Sequence, residues 1–289
     1  MKEASRFGRS IGGLTSFWQN YKANKAALAG LAIVGVFLLV TVFAGILDPN
    51  PPLSVGVGRP FTPPSPAFPM GTDNLGRDVL SGVLYGGRVS IVVGVAAALI
   101  SGLLGGLLGA LAGYLGGRID NMLMRITDSF MVIPSFFLII VVAAFFGGST
   151  LNVILVIGIL SWPVNARLLR SEFLSLKERP YVEAARAIGE KPTWIIFREI
   201  LPNAIAPLVV NTSLQVGDAI LISAALNFLG LGSQNVASWG MMLYEAQSFL
   251  ETAWWMAFFP GIALFLLILG VNLIGDGLND ALNPRASIE

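Results

Sequence analysis

The stretch Tyr181-Val-Glu-Ala-Ala-Arg-Ala-Ile-Gly189 continues, after Glu190, as Lys191-Pro-Thr-Trp-Ile-Ile-Phe-Arg-Glu-Ile-Leu-Pro202. It is a polar, cationic interruption between two strongly apolar segments, and it predicts two short helices joined at a glycine. Pro180 suits the first turn of a helix, where no backbone N–H is needed. Glu183 suits the positive end of the helix dipole, and Gly189 suits a left-handed C-terminal cap. The alanines are small enough for another protein to approach the backbone, so this helix is a candidate handle for a soluble partner.

Composition places the chain in a membrane and removes several kinds of chemistry. The 289 residues are 55% hydrophobic and 12% charged, whereas soluble domains carry about 25% charged residues. The absence of Cys and His excludes cysteine nucleophiles, disulfides, histidine metal sites and a Ser-His-Asp triad. The net charge of +1 gives no indication of nucleic-acid binding.

Six apolar segments are long enough to cross a bilayer, which takes roughly 17–25 residues. The first is too long, and begins too far along the chain, for a cleavable signal peptide. The six predicted spans cover residues 26–47, 89–116, 129–146, 151–168, 204–229 and 254–274.

The distribution of Lys and Arg orients these spans. With the N-terminus inside, the cytosolic segments hold 15 of the 18 basic residues, and the loop 230–253 holds none. We therefore expect both termini, and Glu183 with them, on the cytosolic side.

Glycines recur every four residues in the second span. This spacing puts them on one helix face and predicts close packing against another helix. The first series is Gly105, Gly109, Gly113 and Gly117, and a second pair is Gly102 with Gly106.

Four prolines lie inside or near the ends of predicted spans, where each could kink a helix. Such kinks suit helices that line a path and rearrange, but they are also common in membrane helices generally. The four are Pro134, Pro163, Pro207 and Pro260.

Asp218 is the one acidic residue deep in a predicted span. A charge there costs roughly 2.5–3.5 kcal/mol on insertion scales, so it should face the bundle interior or a wet cavity. Asn211 and Gln215 precede it at helical spacing. Our hypothesis is that the three residues line a translocation pathway; the alternative is a polar contact between helices.

The opening stretch closely resembles the EAA loop of importer permeases of the ATP-binding-cassette class. The family pattern is Glu-Ala-Ala, three further residues, Gly, and a Leu-Pro pair about a dozen residues later. The pattern also includes an isoleucine shortly before the Leu-Pro pair, which in this chain falls one place late, at Ile200. In that family the helix docks on an ATPase subunit. The resemblance assigns this coupling role to Glu183, Ala184, Ala185, Arg186, Gly189, Leu201 and Pro202.

Further strings resemble the second, C-type permease subunit of the dipeptide and oligopeptide importers, over residues 15–285. One is Met70-Gly-Thr-Asp-Asn-Leu-Gly-Arg-Asp-Val-Leu-Ser81, before the second span, and another is Leu226-Asn-Phe-Leu-Gly-Leu-Gly232. Apart from the resemblance, the string Met70–Ser81 predicts a turn followed by a short amphipathic helix. Ser223 and Asn227 depart from the family, which often has glutamate and serine there, so substrate contacts are not carried over to that region.

The resemblance implies an all-α polytopic protein of the type I importer permease fold, with six transmembrane helices and a cytosolic coupling helix. It implies a bacterial or archaeal cell membrane, a second related permease, two ATPases that bind ATP and Mg, and an external binding protein. No cofactor and no metal site is expected on this chain. The expected divisions are a cytosolic or interfacial segment 1–25, a first helix 26–47, an external Pro-rich segment 48–87, a permease core 88–285 with its coupling loop 170–203, and a tail 286–289.

Other readings of the sequence remain open. The sequence has no Gly-x-x-x-x-Gly-Lys-Ser/Thr loop, so ATP would be handled by a separate chain. An ion-coupled carrier would use titratable groups at mid-membrane. This chain has one such acid, Asp218, and its large basic cytosolic loop has no evident role in that mechanism. An intramembrane enzyme is disfavoured because no pair of acids and no Ser/Lys dyad stands out within the predicted spans and the chain has no histidine. Asp120 and Asp128, at the membrane interface, are read as solvated loop charges. The solute could be a dipeptide, a longer peptide, nickel, glutathione or an oligosaccharide.

Overall fold

A computed structural model describes residues 17–48, 50–233 and 235–282. Over these residues the chain is helical, with no strand and one isolated bridge between Thr72 and Asp78. Short turns of helix lie at Ala44–Leu47, Pro192–Trp194, Ile195–Ile200 (π) and Gln247–Phe249 (3₁₀). The longer helices are α1 Lys25–Val42, α2 Val79–Leu115, α3 Gly117–Val132, α4 Ser135–Phe146, α5 Thr150–Leu160, α6 Trp162–Leu176, α7 Pro180–Ala187, α8 Leu201–Phe228, α9 Trp239–Ala246 and α10 Trp255–Leu282.

Five helical stretches in the described part of the chain are long and apolar enough to cross a membrane. They are α1, α2, the α5–α6 stretch Thr150–Leu176, the stretch Pro192–Phe228 that contains α8, and α10. A sixth span results if α3 and α4, which meet at a bend of 85°, are counted together. The predicted all-α membrane architecture is confirmed.

The third predicted span, 129–146, is wrong as a single straight helix. The chain breaks at Ile133, which is extended (φ −87°, ψ 127°), and α4 starts only after Pro134. A residue before proline is pushed out of the helical region by the pyrrolidine ring, so the bend follows from the sequence. Pro163 lies in the first turn of α6, just after the break at Ser161, whereas Pro207 and Pro260 lie inside α8 and α10.

Two other predicted boundaries also differ from the structure. The separate amphipathic helix expected before the second span is absent, since α2 runs unbroken from Val79 to Leu115. It starts where the Asp78 carboxylate accepts a hydrogen bond of 2.9 Å from the Leu80 N–H, and the division at 87–88 falls inside it. Similarly, the second short helix expected after Gly189 continues from Pro192 directly into α8.

The glycines of α2 allow two helices to pack against its backbone. A Cβ at Gly105 or Gly109 would lie 2.5 or 2.4 Å from backbone oxygens of α6, and one at Gly102 would lie 2.7 Å from Thr212 on α8. The predicted close packing is therefore confirmed for these positions. It is wrong for Gly117, which follows the end of α2 and has nothing within 4 Å of its Cβ position.

The predicted interfacial segment is described only from residue 17, and its remainder lies outside the described residues. Residues 17–23 are helical. Tyr21 is buried in a cluster with Ala27 and Ala281, so this aromatic packs on α1 and α10. Trp18 is exposed, and the Lys22 ammonium lies 5.0 Å from its ring centroid.

The Pro-rich segment forms a series of turns and bends, and it is firmly attached to the helices. The Trp255 indole N–H donates a bond of 3.0 Å to the Thr72 carbonyl. Arg77, nearly buried, forms ion pairs with Asp73 and with Glu245 of α9. Residues 50–78 are thereby held against α9 and the start of α10.

Candidate functional site

The inner face of α7 is fixed to the bundle by apolar packing. Val182 is fully buried and Ala185 nearly so. They share one buried cluster with Leu169 and Phe173 of α6 and with Ile200, which leads into α8. This packing attaches α7 to two helices that belong to candidate spans.

Gly189 ends α7 in the manner predicted. Its φ is +81°, a left-handed conformation that glycine adopts without a Cβ penalty. The Gly189 N–H donates to the Arg186 carbonyl (3.0 Å), and the Glu190 N–H donates to the Ala185 carbonyl (3.1 Å). This pair of bonds is a Schellman cap, and it turns the chain back toward α8.

The outer face of α7 is open. Glu183, Ala184 and Arg186 are exposed, and Glu183 lies in the first turn of the helix. Ile188 is 78% exposed and Phe197, beyond the glycine, is 65% exposed. A helix with a buried apolar face and an exposed face of small and charged residues, flanked by exposed apolar side chains, is suited to bind a groove on another protein.

Leu201 and Pro202 are the first two residues of α8. Leu201 is partly buried and packs against the cluster that holds Val182. Pro202 is exposed in the first turn of α8, where its missing N–H is tolerated. The turn before it is π-helical, with the Leu201 N–H bonded to the Ile196 carbonyl. The Leu-Pro pair therefore marks the junction between the α7 loop and a span.

A buried polar network crosses the bundle. Asn165 of α6 is fully buried, and its amide donates to the side chains of Ser101 on α2 (3.0 Å) and Gln215 on α8 (2.7 Å). Its carbonyl accepts from Asn211 at 2.8 Å. Asn211 and Gln215 thus act as interhelical contacts, as the alternative reading of the polar stripe predicted.

Asp218 is separate from this network and faces a cavity. The cavity lies between α2 and α8, at the bend before α4 and the break before α6, and Gln215 and Ser101 line it as well. Asp218 is exposed, and among the described residues no hydrogen bond or ion pair to it is found. The structure thus brings Gln215 and Asp218 to one cavity but does not place Asn211 in its lining.

The sequence suggested that Asp120 and Asp128 are solvated loop charges, but both lie on a helix, and only Asp128 is exposed. Both lie on α3, and Asp120 is 8% exposed. Arg170 of α6 donates two bonds to Asp120, of 2.5 and 2.7 Å. Arg167 donates a bond of 2.5 Å to Asp128, between more exposed side chains. These pairs join α3 to α6.

Several of these residues could not be found from the sequence. Asn165 sits in a segment read only as apolar span, and its partner Ser101 is an ordinary serine among glycines. Arg77 and Glu245 are 168 residues apart, so their pairing depends on tertiary structure. No group of three or more acidic residues in the described part of the chain is arranged to hold a metal ion.

Comparison with known proteins agrees with this architecture. Residues 105–288 match the family model of the binding-protein-dependent transport system inner membrane component, and residues 14–64 match that of the N-terminal TM domain of oligopeptide transport permease C. The dipeptide transport system permease protein DppC of Escherichia coli K12 is 43% identical over 279 residues, which cover 94% of this chain and 93% of that protein. The protein of the same name from Alkalihalophilus pseudofirmus is 40% identical over 269 residues, covering 93% and 88%.

The fold also resembles a solved transporter. An inward-facing structure of the MetNI methionine ABC transporter superposes with a TM-score of 0.57 at 19% identity, covering 70% of this chain and 95% of the compared one. At that identity the likeness establishes the fold alone. With the family matches and the relatives at about 40% identity, it leads to one assignment: the chain belongs to the family of inner-membrane permease components of binding-protein-dependent ABC importers.

Proposed function

We propose that this permease forms half of the transmembrane pathway for di- and oligopeptides, and that its α7 helix couples the pathway to separate ATPase subunits. The observation that carries the proposal is the two-sided character of α7. Val182 and Ala185 are buried against two spans, while Glu183, Ala184 and Arg186 are exposed. A rigid helix attached on one side and open on the other can transmit motion from a docked partner.

The proposed mechanism has three physical parts. ATP and Mg²⁺ bind between two ATPase subunits, and closure of that pair moves the docked α7 helices. Movement of α7 carries α6 and α8 with it through the cluster around Phe173 and Ile200. The breaks at Pro134 and Ser161 let shorter helical pieces reorient, and coupling requires that the ATPases contact α7 differently in the two states.

Each functional residue has a specific role in this mechanism. Glu183, Ala184 and Arg186 contact the ATPase, while Ala185 anchors α7 and Gly189 fixes its angle. Leu201 and Pro202 join the loop to α8. Gln215 and Asp218 line the pathway, and Asn211 supports it through Asn165. Both termini and α7 lie in the cytosol, and residues 50–78 face the exterior, as the distribution of basic residues predicts.

The remaining partners follow from the family and its relatives. A second, related permease completes the pathway, and an external binding protein delivers the solute. The relatives named as dipeptide permeases favour peptides as cargo. Nickel, glutathione and oligosaccharides are the competing solutes, and an ion-coupled carrier is the competing mechanism.

Reconstitution tests this proposal. The chain, its partner permease and the two ATPases are placed in proteoliposomes with the binding protein encoded beside them, and uptake of radiolabelled Ala-Ala is followed. We expect uptake only when ATP and binding protein are both present. Uptake by the permease pair alone, driven by an ion gradient, would contradict the proposal, and transport of nickel or a sugar without dipeptide would reassign the cargo.

A further inference from the structure

Among the described residues, the Asp218 carboxylate has none of the partners that a charge inside a membrane span is expected to have. It lies within α8, 10 residues before the helix ends at Phe228. Membrane-embedded acids are expected to pair with a cation or a hydrogen-bond donor, or to serve a ligand. In the described part of the chain Asp218 has no bonded side chain, whereas Gln215, one turn earlier, is bonded to two neighbours.

The cavity around Asp218 has a distinct chemical character. Its lining includes no Lys or Arg among the described residues, so its one formal charge is negative. The uncharged polar residues of the lining are Ser101, Ser135, Ser161 and Gln215. The remainder is apolar, with Ala97, Ile157 and Leu221 as examples. Such a cavity suits an organic cation that carries neutral hydrogen-bonding groups and apolar side chains.

We infer that Asp218 binds the α-ammonium group of the transported peptide during its passage. This inference rests on the proposed function and adds a specific chemical contact to it. A zwitterionic peptide supplies the positive charge that the cavity lacks, and its amide groups can bond to the serine hydroxyls. A metal ion is a poorer occupant, because the lining has a single carboxylate and no further charged ligand. A single ion pair also lets the peptide leave again, as transport requires.

Substitutions in the reconstituted transporter test this contact. Asp218→Asn keeps the size and removes the charge, whereas Asp218→Glu retains the carboxylate as a matched control. We expect Asp218→Asn to lower the amount of peptide imported per ATP hydrolysed by about tenfold, the scale of a lost charge-assisted hydrogen bond. Asp218→Glu should retain most of the uptake. ATPase activity stimulated by liganded binding protein should persist in both, which shows that the complex assembles and the permease assignment stands.

Two dipeptides identify the ammonium group involved. Ala-Ala carries only the α-ammonium, and Ala-Lys carries a side-chain ammonium as well. The inference predicts the same fractional loss for both peptides in Asp218→Asn. A loss confined to Ala-Lys would overturn it in favour of side-chain recognition, and unchanged transport of both would overturn it altogether.

Chemical restoration of the charge provides a test that does not depend on how well the asparagine variant folds. Because the chain has no cysteine, Asp218→Cys can be modified at one place in this subunit. A sulfonate-bearing thiol reagent should recover part of the dipeptide uptake, while an ammonium-bearing reagent of similar size should abolish what remains. Equal effects of the two reagents would indicate that bulk, and not negative charge, matters at this position, and would refute the inference. Failure of the unsubstituted transporter to import either dipeptide would instead count against the proposed function.

Discussion

The side-chain amide of Asn165 donates a 2.7 Å hydrogen bond to the side-chain oxygen of Gln215, and this bond joins α6 to α8 inside the bundle. Ser101 brings α2 into the same network and Asn211 adds a second contact from α8. Three spans are thereby held in register by polar groups that have few other partners in an apolar interior. Two members of the network, Ser101 and Gln215, also line the cavity that contains Asp218.

Replacement of Asn165 by leucine should destabilise the protein. The change leaves Gln215 and Asn211 without their shared partner in a buried place, at a cost of about 1–3 kcal/mol. We expect a lower melting temperature for the detergent-purified chain. Asn203→Ala is the control, since Asn203 is exposed and its side-chain amide donates to the Glu199 carbonyl of the preceding turn. Equal melting temperatures for the Asn165 variant and the wild type would show that the network contributes nothing to stability.

Addition of a single methyl group to α2 should disrupt its contact with α6. A Cβ at Gly109 would lie 2.4 Å from the Ala166 carbonyl oxygen, whereas one at Gly35 of α1 would have nothing within 4 Å. Gly109→Ala should therefore destabilise the protein by about 1–3 kcal/mol through overpacking, and Gly35→Ala should not. Thermal unfolding of the two variants in the same detergent measures the difference, and a Gly109 variant as stable as its control would refute close packing at this site.

The N-cap of α2 should make stability depend on pH. Burial raises the pKa of Asp78 to about 6, with the nearby Asp48 carboxylate acting in the same direction. Because the native state then binds more protons than the unfolded state between about pH 4 and 6, the free energy of unfolding decreases as pH rises through this window and is constant above it. Asp78→Asn carries no charge and keeps an oxygen for the Leu80 N–H. We expect it to be more stable than the wild type at pH 7–8, by about 1–3 kcal/mol.

Melting temperatures from pH 4 to pH 8 check this prediction. The advantage of Asp78→Asn should vanish toward pH 4, where the wild-type carboxyl is also protonated. Asp78→Ala separates the two roles of the side chain, because it removes both the charge and the cap, and loss of a cap costs about 1 kcal/mol. A constant difference between wild type and Asp78→Asn across the whole pH range would refute the titration.

The cap of α7 should control coupling. Valine disfavours the φ of +81° that Gly189 adopts, whereas asparagine tolerates it. Gly189→Val should therefore reorient α7 and reduce peptide uptake per ATP hydrolysed by about tenfold or more, or release the ATPases from the membrane. Gly189→Asn should remain largely coupled. Both rates are measured in the reconstituted transporter, and full coupling in the valine variant would mean that the angle of α7 is unimportant.

The sequence predicted the local features well because their causes are local. Pro180, Glu183 and Gly189 act within one helix, and the structure shows the start, the first turn and the cap that they predict. The glycine spacing of α2 predicted close packing correctly at Gly105 and Gly109, but the partner helices could not be read from the spacing. The bend at Pro134 was foreseeable as a kink, although the 85° angle depends on packing.

Features that depend on distant contacts were missed. Asn165 lies two residues after Pro163 in a sequence that gives it no local distinction, and only the approach of α2 and α8 makes it a network centre. Asp120 reads as a loop charge until Arg170, 50 residues away, packs beside it. The polar stripe of Asn211, Gln215 and Asp218 was recognised as one unit, but the three side chains divide between a helix contact and a cavity because Asn165 occupies the space between α6 and α8.

The central claim is that α7 touches an ATPase, and site-directed cross-linking tests it most directly. Ala184→Cys places a thiol on the exposed face of α7, and Ala67→Cys places one on the exposed surface of the segment 50–78; the chain has no other cysteine. With a short bifunctional thiol reagent and cysteines introduced along the ATPase groove, the account predicts an Ala184→Cys adduct whose yield changes when ATP is bound, and no adduct from Ala67→Cys. An absence of any ATPase adduct from Ala184→Cys in an actively transporting complex would contradict it.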